Sequence, residues 1–452
     1  MKVTQLYSAS VIIEDKGVKV LCDPWLVGEE YFGSWGMYPP YYFKAENFKS
    51  IDFIYISHIH PDHCSLKTLE KLDKKIPVLI HNFPIKFLKN TIESMGFRVI
   101  ELEHNLRTRL KGDFHINILA GDNCNPEICG KLMGCVGIQS KFETAQIDTI
   151  VVMDNDDGQV IVNVNDCPLQ IGESTATQIK QQYKNVDVLL LGYSSATSYP
   201  HCYELDVKEK TMEAEIKQKN KLESARKYIE ILEPRFYIPF AGRYTLAGKN
   251  YQLNRYRGEP ELEVAFDWFV QNGPQNSKPI LLNYDSYLDL DTGETSEKYI
   301  RIDEKEKEKY AREKLASVKF DYENTPVPSA DEIYQLIPQA YERFEKERNN
   351  IGFTSDVVIV LPISDAEMVI ISRDGTGFKR ISSEFENTIP KYIKMTVDPR
   401  LLKWLLQGPK KANWSTADIG SHIRYKRVPN TYHRGLFRGW NHFYSGRYQV
   451  IA

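Results

Sequence analysis

The chain has 452 residues, of which 42% are hydrophobic and 26% are charged, the composition of an ordinary soluble globular protein. Its 58 Lys and Arg residues nearly balance its 61 Asp and Glu residues, which argues against nucleic-acid binding through bulk positive charge. The apolar runs have only strand length, the seven cysteines disfavour a disulfide scaffold, and the N-terminus lacks a signal pattern, so we expect a cytoplasmic protein without a membrane span.

Strand-like and helix-like segments alternate over the first half of the chain. Residues 3–13 and 18–22 form a predicted hairpin, because two apolar runs flank a Gly-containing turn. Further strands are predicted at 52–57, 77–80, 97–102, 114–119, 147–153, 159–164, 187–192 and 235–240, and helices at 66–74, 84–95, 174–184 and 207–232. This alternation predicts a layered α/β domain.

The segment 26–50 is rich in aromatic residues that stand among glycines and prolines. It is too broken for a helix, so it is either a packed surface loop or the wall of a pocket. The second alternative suggests a sugar, a nucleotide or another flat or amphipathic substrate, because aromatic faces stack on such groups.

The second half begins with a charged helix predicted over 302–315, followed by a candidate linker at 324–329. Further elements are a helix at 331–349, paired strands at 356–362 and 367–372, and an amphipathic helix at 398–407 with proline in its first turn. We therefore divide the chain into a domain at 1–300, a helix and linker at 301–330, and an α+β domain at 331–452.

The strongest chemical signal directly follows the predicted strand at 52–57. Three of the ten histidines of the chain and one aspartate stand within six residues, as His58, His60, Asp62 and His63. Imidazole nitrogens and carboxylate oxygens are ligands for zinc, iron or manganese. The motif therefore predicts a site for one or two metal ions.

This loop resembles the His-x-His-x-Asp-His signature of the metallo-β-lactamase superfamily, and a preceding hairpin that ends in Asp23 matches too. The resemblance covers about residues 1–285 and implies an αββα sandwich with the metals at one edge of two facing sheets. It also implies that His58 and His60 bind the first metal, and that Asp62 and His63 bind the second.

The same resemblance implies two further ligands. Asp166 follows an apolar strand at the place of the bridging carboxylate of the family, although an aspartate there also suits a turn. Asp122 stands where the family has its third histidine, and is expected as a ligand or as a support for one. The last family histidine has no counterpart around Arg243, so the second metal is weakly held, held by other residues, or absent.

The segments 191–204 and 238–242 resemble CMP-N-acetylneuraminate hydroxylase, a family that joins a Rieske domain to a metallo-β-lactamase-like domain. The Cys-x-His and Cys-x-x-His pairs of a Rieske centre do not occur in this sequence. The resemblance therefore implies the metal domain with neither a Rieske cluster nor a nucleotide cofactor. The wider group contains ascorbate-6-phosphate lactonase and N-acyl-phosphatidylethanolamine phospholipase.

Four residues that follow predicted strand ends are candidates for substrate binding: Tyr193, Tyr199, His201 and Arg243. His201 is also a candidate replacement for a missing histidine ligand. Arg243 suits a phosphate or carboxylate of the substrate, and equally an ion pair with a nearby acid.

Residues 392–408 and 419–425 resemble a sterol-carrier-like pattern. Such a domain binds an apolar ligand, or covers the catalytic domain and builds a dimer. We favour the second role, and a homo-oligomer stays open.

These features favour a metal-dependent hydrolase of a small-molecule substrate. The metal acidifies a water molecule, Asp62 or Asp166 orients it, and it attacks a phosphoester, lactone or amide. The first alternative is a non-haem iron oxygenase with a separate electron-transfer partner, because a carboxylate in place of a histidine suits iron. The second alternative is a degenerate metal-binding protein without catalysis.

Overall fold

The computed structural model describes residues 1–83, 86–121, 148–350, 352–432 and 439–446. The candidate ligand Asp122 lies outside the described residues. No helix in the described part of the chain has both the length and the apolar character needed to cross a membrane.

The strands are distributed over almost the whole chain. In chain order they are β1 (Lys2–Tyr7), β2 (Ser10–Asp15), β3 (Val18–Cys22), β4 (Trp35–Gly36), β5 (Phe53–Tyr55), β6 (Val78–His81), β7 (Val99–Leu102), β8 (Thr108–Lys111), β9 (Phe114–Ala120), β10 (Thr149–Asn155), β11 (Val160–Asn163), β12 (Val188–Gly192), β13 (Phe236–Phe240), β14 (Thr245–Leu246), β15 (Lys278–Pro279), β16 (Tyr287–Asp289), β17 (Glu294–Thr295), β18 (Ser355–Pro362), β19 (Glu367–Arg373), β20 (Phe378–Ser382), β21 (Tyr392–Val397) and β22 (Ile423–Val428).

The α-helices fall between these strands. They are α1 (Leu66–Lys71), α2 (Phe87–Ser94), α3 (Leu169–Tyr183), α4 (Val207–Leu232), α5 (Leu262–Asn272), α6 (Glu304–Glu313), α7 (Ala330–Tyr334), α8 (Ile337–Asn350), α9 (Pro399–Gln407) and α10 (Trp414–Ile419). The long helix α4 begins where the sequence predicts it, because the Asp206 side chain accepts a hydrogen bond from the Glu209 backbone amide and caps the first turn.

Two large sheets pack face to face. The first has the strand order β17-β16-β1-β2-β3-β5-β6-β7, and the second has the order β15-β13-β12-β11-β10-β9-β8. One buried apolar cluster takes residues from both sheets, such as Val20 of β3 and Leu190 of β12. Burying each such side chain contributes about 1.5–3 kcal/mol, so this shared core holds the sheets together.

Helices cover both outer faces of the pair of sheets. Leu69 of α1 and Ile92 of α2 pack on the first sheet, and Ile179 of α3 and Leu222 of α4 pack on the second. The strands are therefore buried on two sides, which explains their nearly continuous runs of Val, Ile and Leu. The architecture is an αββα sandwich, and the predicted fold class is confirmed.

A third sheet follows near the C-terminus, with the order β20-β19-β18-β21-β22. Its core also includes Cys202 and Tyr203 from the segment before α4. Tyr203 pairs in parallel with Tyr425 of β22, so the sheet is joined directly to the sandwich. The sterol-carrier resemblance and the domain boundaries at 300 and 330 stay predictions.

The first half of the aromatic segment at 26–50 is packed against the sandwich. Tyr31 and Trp35 are buried, as is the adjoining Trp25, and Trp35 stacks on Tyr244 with ring centroids 3.5 Å apart. One buried tyrosine of this segment, Tyr31, also reaches the histidine motif.

Candidate metal centre

The histidine motif is placed by two neighbouring parallel strands. Strand β3 pairs with β5 so that Cys22 lies opposite Tyr55. The carboxyl ends of both strands therefore meet at one edge of the sheet, with Asp23 after β3 and the motif after β5.

Asp23 anchors the motif loop. Its two carboxylate oxygens accept hydrogen bonds from the Ser57 backbone amide and the Ser57 hydroxyl, both at 2.7 Å. Its Oδ2 also lies 2.9 Å from His63 Nδ1. This contact orients the opposite nitrogen of His63, Nε2, toward the centre of the site.

The first cluster of candidate ligands consists of His58, His60 and Asp148, whose ligand atoms all lie within 4.8 Å of one another. His58 Nε2 is 2.9 Å from His60 Nδ1 and 3.6 Å from Asp148 Oδ1. His58 Nδ1 is 2.9 Å from the Ser57 hydroxyl, which leaves Nε2 to face the cluster. Two imidazoles and one carboxylate thus converge on one point.

The second cluster lies beside the first and shares His58 with it. His58, His63 and Asp166 bring ligand atoms within 4.8 Å of one another. His63 Nε2 is 3.2 Å from Asp166 Oδ2 and 3.4 Å from Asp62 Oδ2. The hydroxyl of Tyr31 donates a 2.5 Å hydrogen bond to the other oxygen of Asp62 and holds this carboxylate in place.

The electrostatics of the two clusters fit divalent cations. Burial lowers the pKa of His58 and of His60 to about 4, so both are neutral near pH 7, as metal ligation requires. Burial also raises the pKa of Asp148 to about 6. Burial opposes a charge on His63, but Asp166 is foremost among the carboxylates that outweigh it and raise the pKa of His63.

One atom at the centre lacks a conventional partner. His63 Nε2 is buried and has no partner in hydrogen-bond geometry among the described residues, although two carboxylates are nearby. A buried polar atom left unpaired costs about 1–3 kcal/mol, and a metal ion at this point would satisfy it. The residues present therefore fit a metal centre.

The structure brings together five of the six metal ligands expected from the sequence: His58, His60, Asp62, His63 and Asp166. Asp148 completes the first cluster, and the sequence analysis missed it as a ligand because it falls within the predicted strand at 147–153. Its signal was an aspartate at the start of an otherwise apolar strand.

The polar contacts of the proposed substrate-binding residues lead away from the two clusters. Arg243 donates a 2.8 Å hydrogen bond to the Tyr299 hydroxyl, which donates in turn to Glu263. His201 Nε2 lies 2.7 Å from the Ser421 hydroxyl. Tyr199 packs edge-on against Tyr203, and Tyr193 is buried. Their roles in substrate binding stay predictions.

A lysine that the sequence analysis missed is within electrostatic range of the centre. Burial lowers the pKa of Lys221, while Glu259, Asp166 and Asp148 act in the opposite direction. Lys221 stands one turn after Lys217 on α4, and Lys217 forms a 2.6 Å ion pair with Glu259. Lys221 itself has no ion pair among the residues described, so its charge is available to a ligand.

Comparison with known proteins agrees with the predicted resemblance. Residues 2–125 match the family model of the Beta-lactamase superfamily domain, so this part of the chain carries such a domain. A Mycobacterium tuberculosis protein named as a Rieske 2Fe-2S iron-sulfur protein is 27% identical over 250 residues, which cover 54% of this chain and 44% of the relative. The cytidine monophosphate-N-acetylneuraminic acid hydroxylase of Xenopus laevis is 24% identical over 262 residues, covering 54% and 38%.

The chain thus spans less than half the length of these two curated relatives. Among solved structures, the isothiocyanate hydrolase from Delia radicum gut bacteria aligns with a TM-score of 0.43 and 14% identity, covering 64% of this chain and 99% of that protein.

Proposed function

We propose that this protein is a dinuclear non-haem iron enzyme that hydroxylates a small organic substrate. The observation that carries the proposal is the first cluster, in which two imidazoles, His58 and His60, share a site with the carboxylate of Asp148. Two histidines and one carboxylate with open positions are the ligand set typical of non-haem iron oxygenases. The carboxylate in place of a third imidazole supports the oxidative hypothesis, because it suits iron.

The second cluster adds one imidazole, that of His63, and two carboxylates. Asp62 and Asp166 both lie within 3.4 Å of His63 Nε2, so three carboxylates and three imidazoles surround the paired positions. Dinuclear carboxylate-rich sites of this kind are common to di-iron proteins. The names of the relatives support the same reading, since one is a hydroxylase and another carries a Rieske designation.

Hydroxylation inserts one oxygen atom of O₂ into a C–H bond and releases the other as water, which consumes two electrons and two protons. Bound iron would activate dioxygen for this reduction. The electrons would come from a separate iron–sulfur electron-transfer protein.

The residues of the chain would orient the ligands and hold the substrate. Ser57 and Asp23 orient His58 and His63, and Tyr31 fixes Asp62. The Asp166 side chain is 31% exposed and marks the side open to substrate. Lys221 would attract a substrate that carries a phosphate or a carboxylate.

Metal content measured by mass spectrometry after anaerobic purification tests the proposal. The matched variants are Asp148→His, which gives the first site three imidazoles, and Asp148→Glu, which keeps a carboxylate. We expect iron in the wild-type protein and in Asp148→Glu, and a fall in the affinity for iron relative to zinc in Asp148→His. Zinc alone in the wild-type protein, with the same metal preference in all three proteins, would contradict the proposal.

Hydrolysis is the second candidate, favoured by the superfamily domain at residues 2–125 and by paired sites that suit a two-metal clamp on a phosphoester. Turnover of phosphodiester and lactone substrates under nitrogen separates the two candidates, because a hydrolase needs no oxygen. If neither the wild-type protein nor His60→Ala binds metal at micromolar concentration, both candidates fail and the degenerate binding protein remains.

A further inference from the structure

A cavity lies where the C-terminal sheet meets the segment that precedes α4. Its volume is about 520 Å³, and its walls include His201, Lys210 and Arg424. Backbone hydrogen bonds hold the two walls together, because the Tyr425 amide donates to the Cys202 carbonyl at 2.9 Å and the Glu204 amide donates to the Tyr425 carbonyl at 2.8 Å. The cavity is therefore built from both parts of the chain.

Four cations surround His201, and only two of them are neutralised. Lys217 pairs with Glu259 at 2.6 Å, and Arg257 lies 3.6 Å from Glu261. The other two, Lys210 and Arg424, line the cavity, and neither has an ion-pair partner in the described part of the chain.

Arg424 is held with its charge beside the cavity. One guanidinium nitrogen donates to the Ser421 carbonyl at 2.6 Å, and the other donates to Asn250 Oδ1 at 2.6 Å. Both acceptors are neutral, so these bonds orient the guanidinium without cancelling its charge. Burial lowers the pKa of Lys210 and the nearby charge of Arg424 adds to this effect, whereas Cys202 and Glu204 act in the opposite direction.

His201 contributes a buried atom without a partner. Its side chain is 1% exposed, its Nε2 contacts the Ser421 hydroxyl, and its Nδ1 has no hydrogen-bond partner among the described residues. Burial and the surrounding cations keep the pKa of His201 well below its usual value, so the ring is neutral. When Ser421 donates to Nε2, Nδ1 carries the proton and is a free donor.

We propose that this cavity binds a small organic anion, a metabolite that carries a phosphate or a carboxylate. Lys210 and Arg424 would supply the charge, and His201 Nδ1 would supply a neutral donor. The carboxylate of Glu204 is exposed and lies among the lining residues, which still leaves the described walls with a net positive charge. Charge-assisted hydrogen bonds from Lys and Arg are the usual means of recognising such anions.

This site is independent of the metal centre and of the reaction proposed for it. The polar contacts of Lys210 and Arg424 are with residues other than the metal ligands. Anion binding in this cavity therefore does not depend on the reaction proposed for the metal centre.

Isothermal titration of the metal-loaded full chain with inorganic phosphate, and separately with citrate, tests the proposal. Lys210→Gln removes one charge from the cavity, and Lys208→Gln removes the same charge from an exposed position two residues away. We expect binding of at least one anion to weaken about tenfold in Lys210→Gln and to stay unchanged in Lys208→Gln. Arg424→Lys keeps the positive charge but loses the planar, forked set of guanidinium donors. We expect it to weaken anion binding less than Lys210→Gln does, and comparison of its effects on phosphate and on citrate shows which anion the guanidinium recognises.

Three results would overturn the inference. The first is that neither anion binds the wild-type protein at millimolar concentration. The second is equal binding by Lys210→Gln and the wild-type protein. The third is binding that is lost in His60→Ala and kept in Lys210→Gln, which would place the anion at the metal centre.

Discussion

Replacing Asp23 by asparagine tests how the loop that carries the histidine motif is held. The carboxylate accepts hydrogen bonds from the amide and hydroxyl of Ser57 at 2.7 Å and contacts His63 Nδ1 at 2.9 Å, entirely in the interior. An amide keeps the shape of the side chain, but its NH₂ group cannot accept hydrogen bonds from both the Ser57 hydroxyl and His63 Nδ1, as Oδ2 of Asp23 does. Asp23→Asn therefore removes the acceptor that fixes the tautomer and ring orientation of His63.

The magnitude follows from two contributions. Supporting carboxylates of metal-ligating histidines are worth about 10–100-fold in metal affinity, or about 1.4–2.7 kcal/mol. Leaving a buried donor unsatisfied costs about 1–3 kcal/mol of folding free energy. We expect Asp23→Asn to weaken metal binding by at least tenfold and to lower the stability of the metal-free protein.

Competition against a chromophoric chelator measures the affinity, and urea unfolding measures the stability. Asp52→Asn is the matched control, because Asp52 accepts the Lys19 backbone amide at 3.0 Å on the same sheet but lies outside the metal clusters. A folded Asp23→Asn protein whose metal affinity is within twofold of that of Asp52→Asn would refute this account of the loop.

Three further variants probe the surroundings of the centre. Tyr31→Phe removes the 2.5 Å hydrogen bond to Asp62, and we expect the more weakly held metal ion to bind up to about tenfold less tightly. Sequential metal titration measures this, and an unchanged affinity for the second metal ion would contradict it. Burial raises the pKa of Glu30 from its ordinary value to about 8, so the unfolded chain releases this proton first and stability should fall as pH rises from about 4.5 to about 8. Glu30→Gln should flatten that slope in urea midpoints taken between pH 6 and pH 8, and an unaltered slope would show that Glu30 is not responsible. Lys221→Met should raise KM for an anionic substrate about tenfold with metal content unchanged, whereas the exposed Lys219→Met should not; equal KM values in the two would remove Lys221 from substrate binding.

The order of strands and helices in the sandwich was predictable because each segment carries its own periodicity. Helix α4 starts at Val207 and ends at Leu232, where the sequence predicts it, since an aspartate caps its first turn. Boundaries without such a signal moved: the helix predicted at 174–184 begins at Leu169, because burial of its first turn rather than propensity decides its start. The predicted strand at 52–57 shortens to Phe53–Tyr55, since its last residues turn toward Asp23.

The part of the candidate metal centre that is local in the chain was predictable from the sequence. His58, His60, Asp62 and His63 are candidate ligands in one short loop, so their residue types and spacing indicate metal binding without further structure. Among the distant residues, the family resemblance predicted Asp166, whereas the place of Asp148 beside the motif follows from the packing of the strands. Asp23, Asp148 and Asp166 stand at the ends of different strands, and they meet because these strands bring their ends to the same edge of the sandwich.

The same reason applies to the cavity lined by Lys210 and Arg424. Lys210 and Arg424 are more than 200 residues apart, and each is an ordinary surface cation when it is considered alone. The parallel pairing of Tyr203 with Tyr425 brings them to the same cavity, where two cations stand against the single carboxylate of Glu204 among the lining residues. Hydrophobic periodicity encodes the strands, but the pairing of distant strands depends on the free energy of the whole packed core, which no local pattern contains.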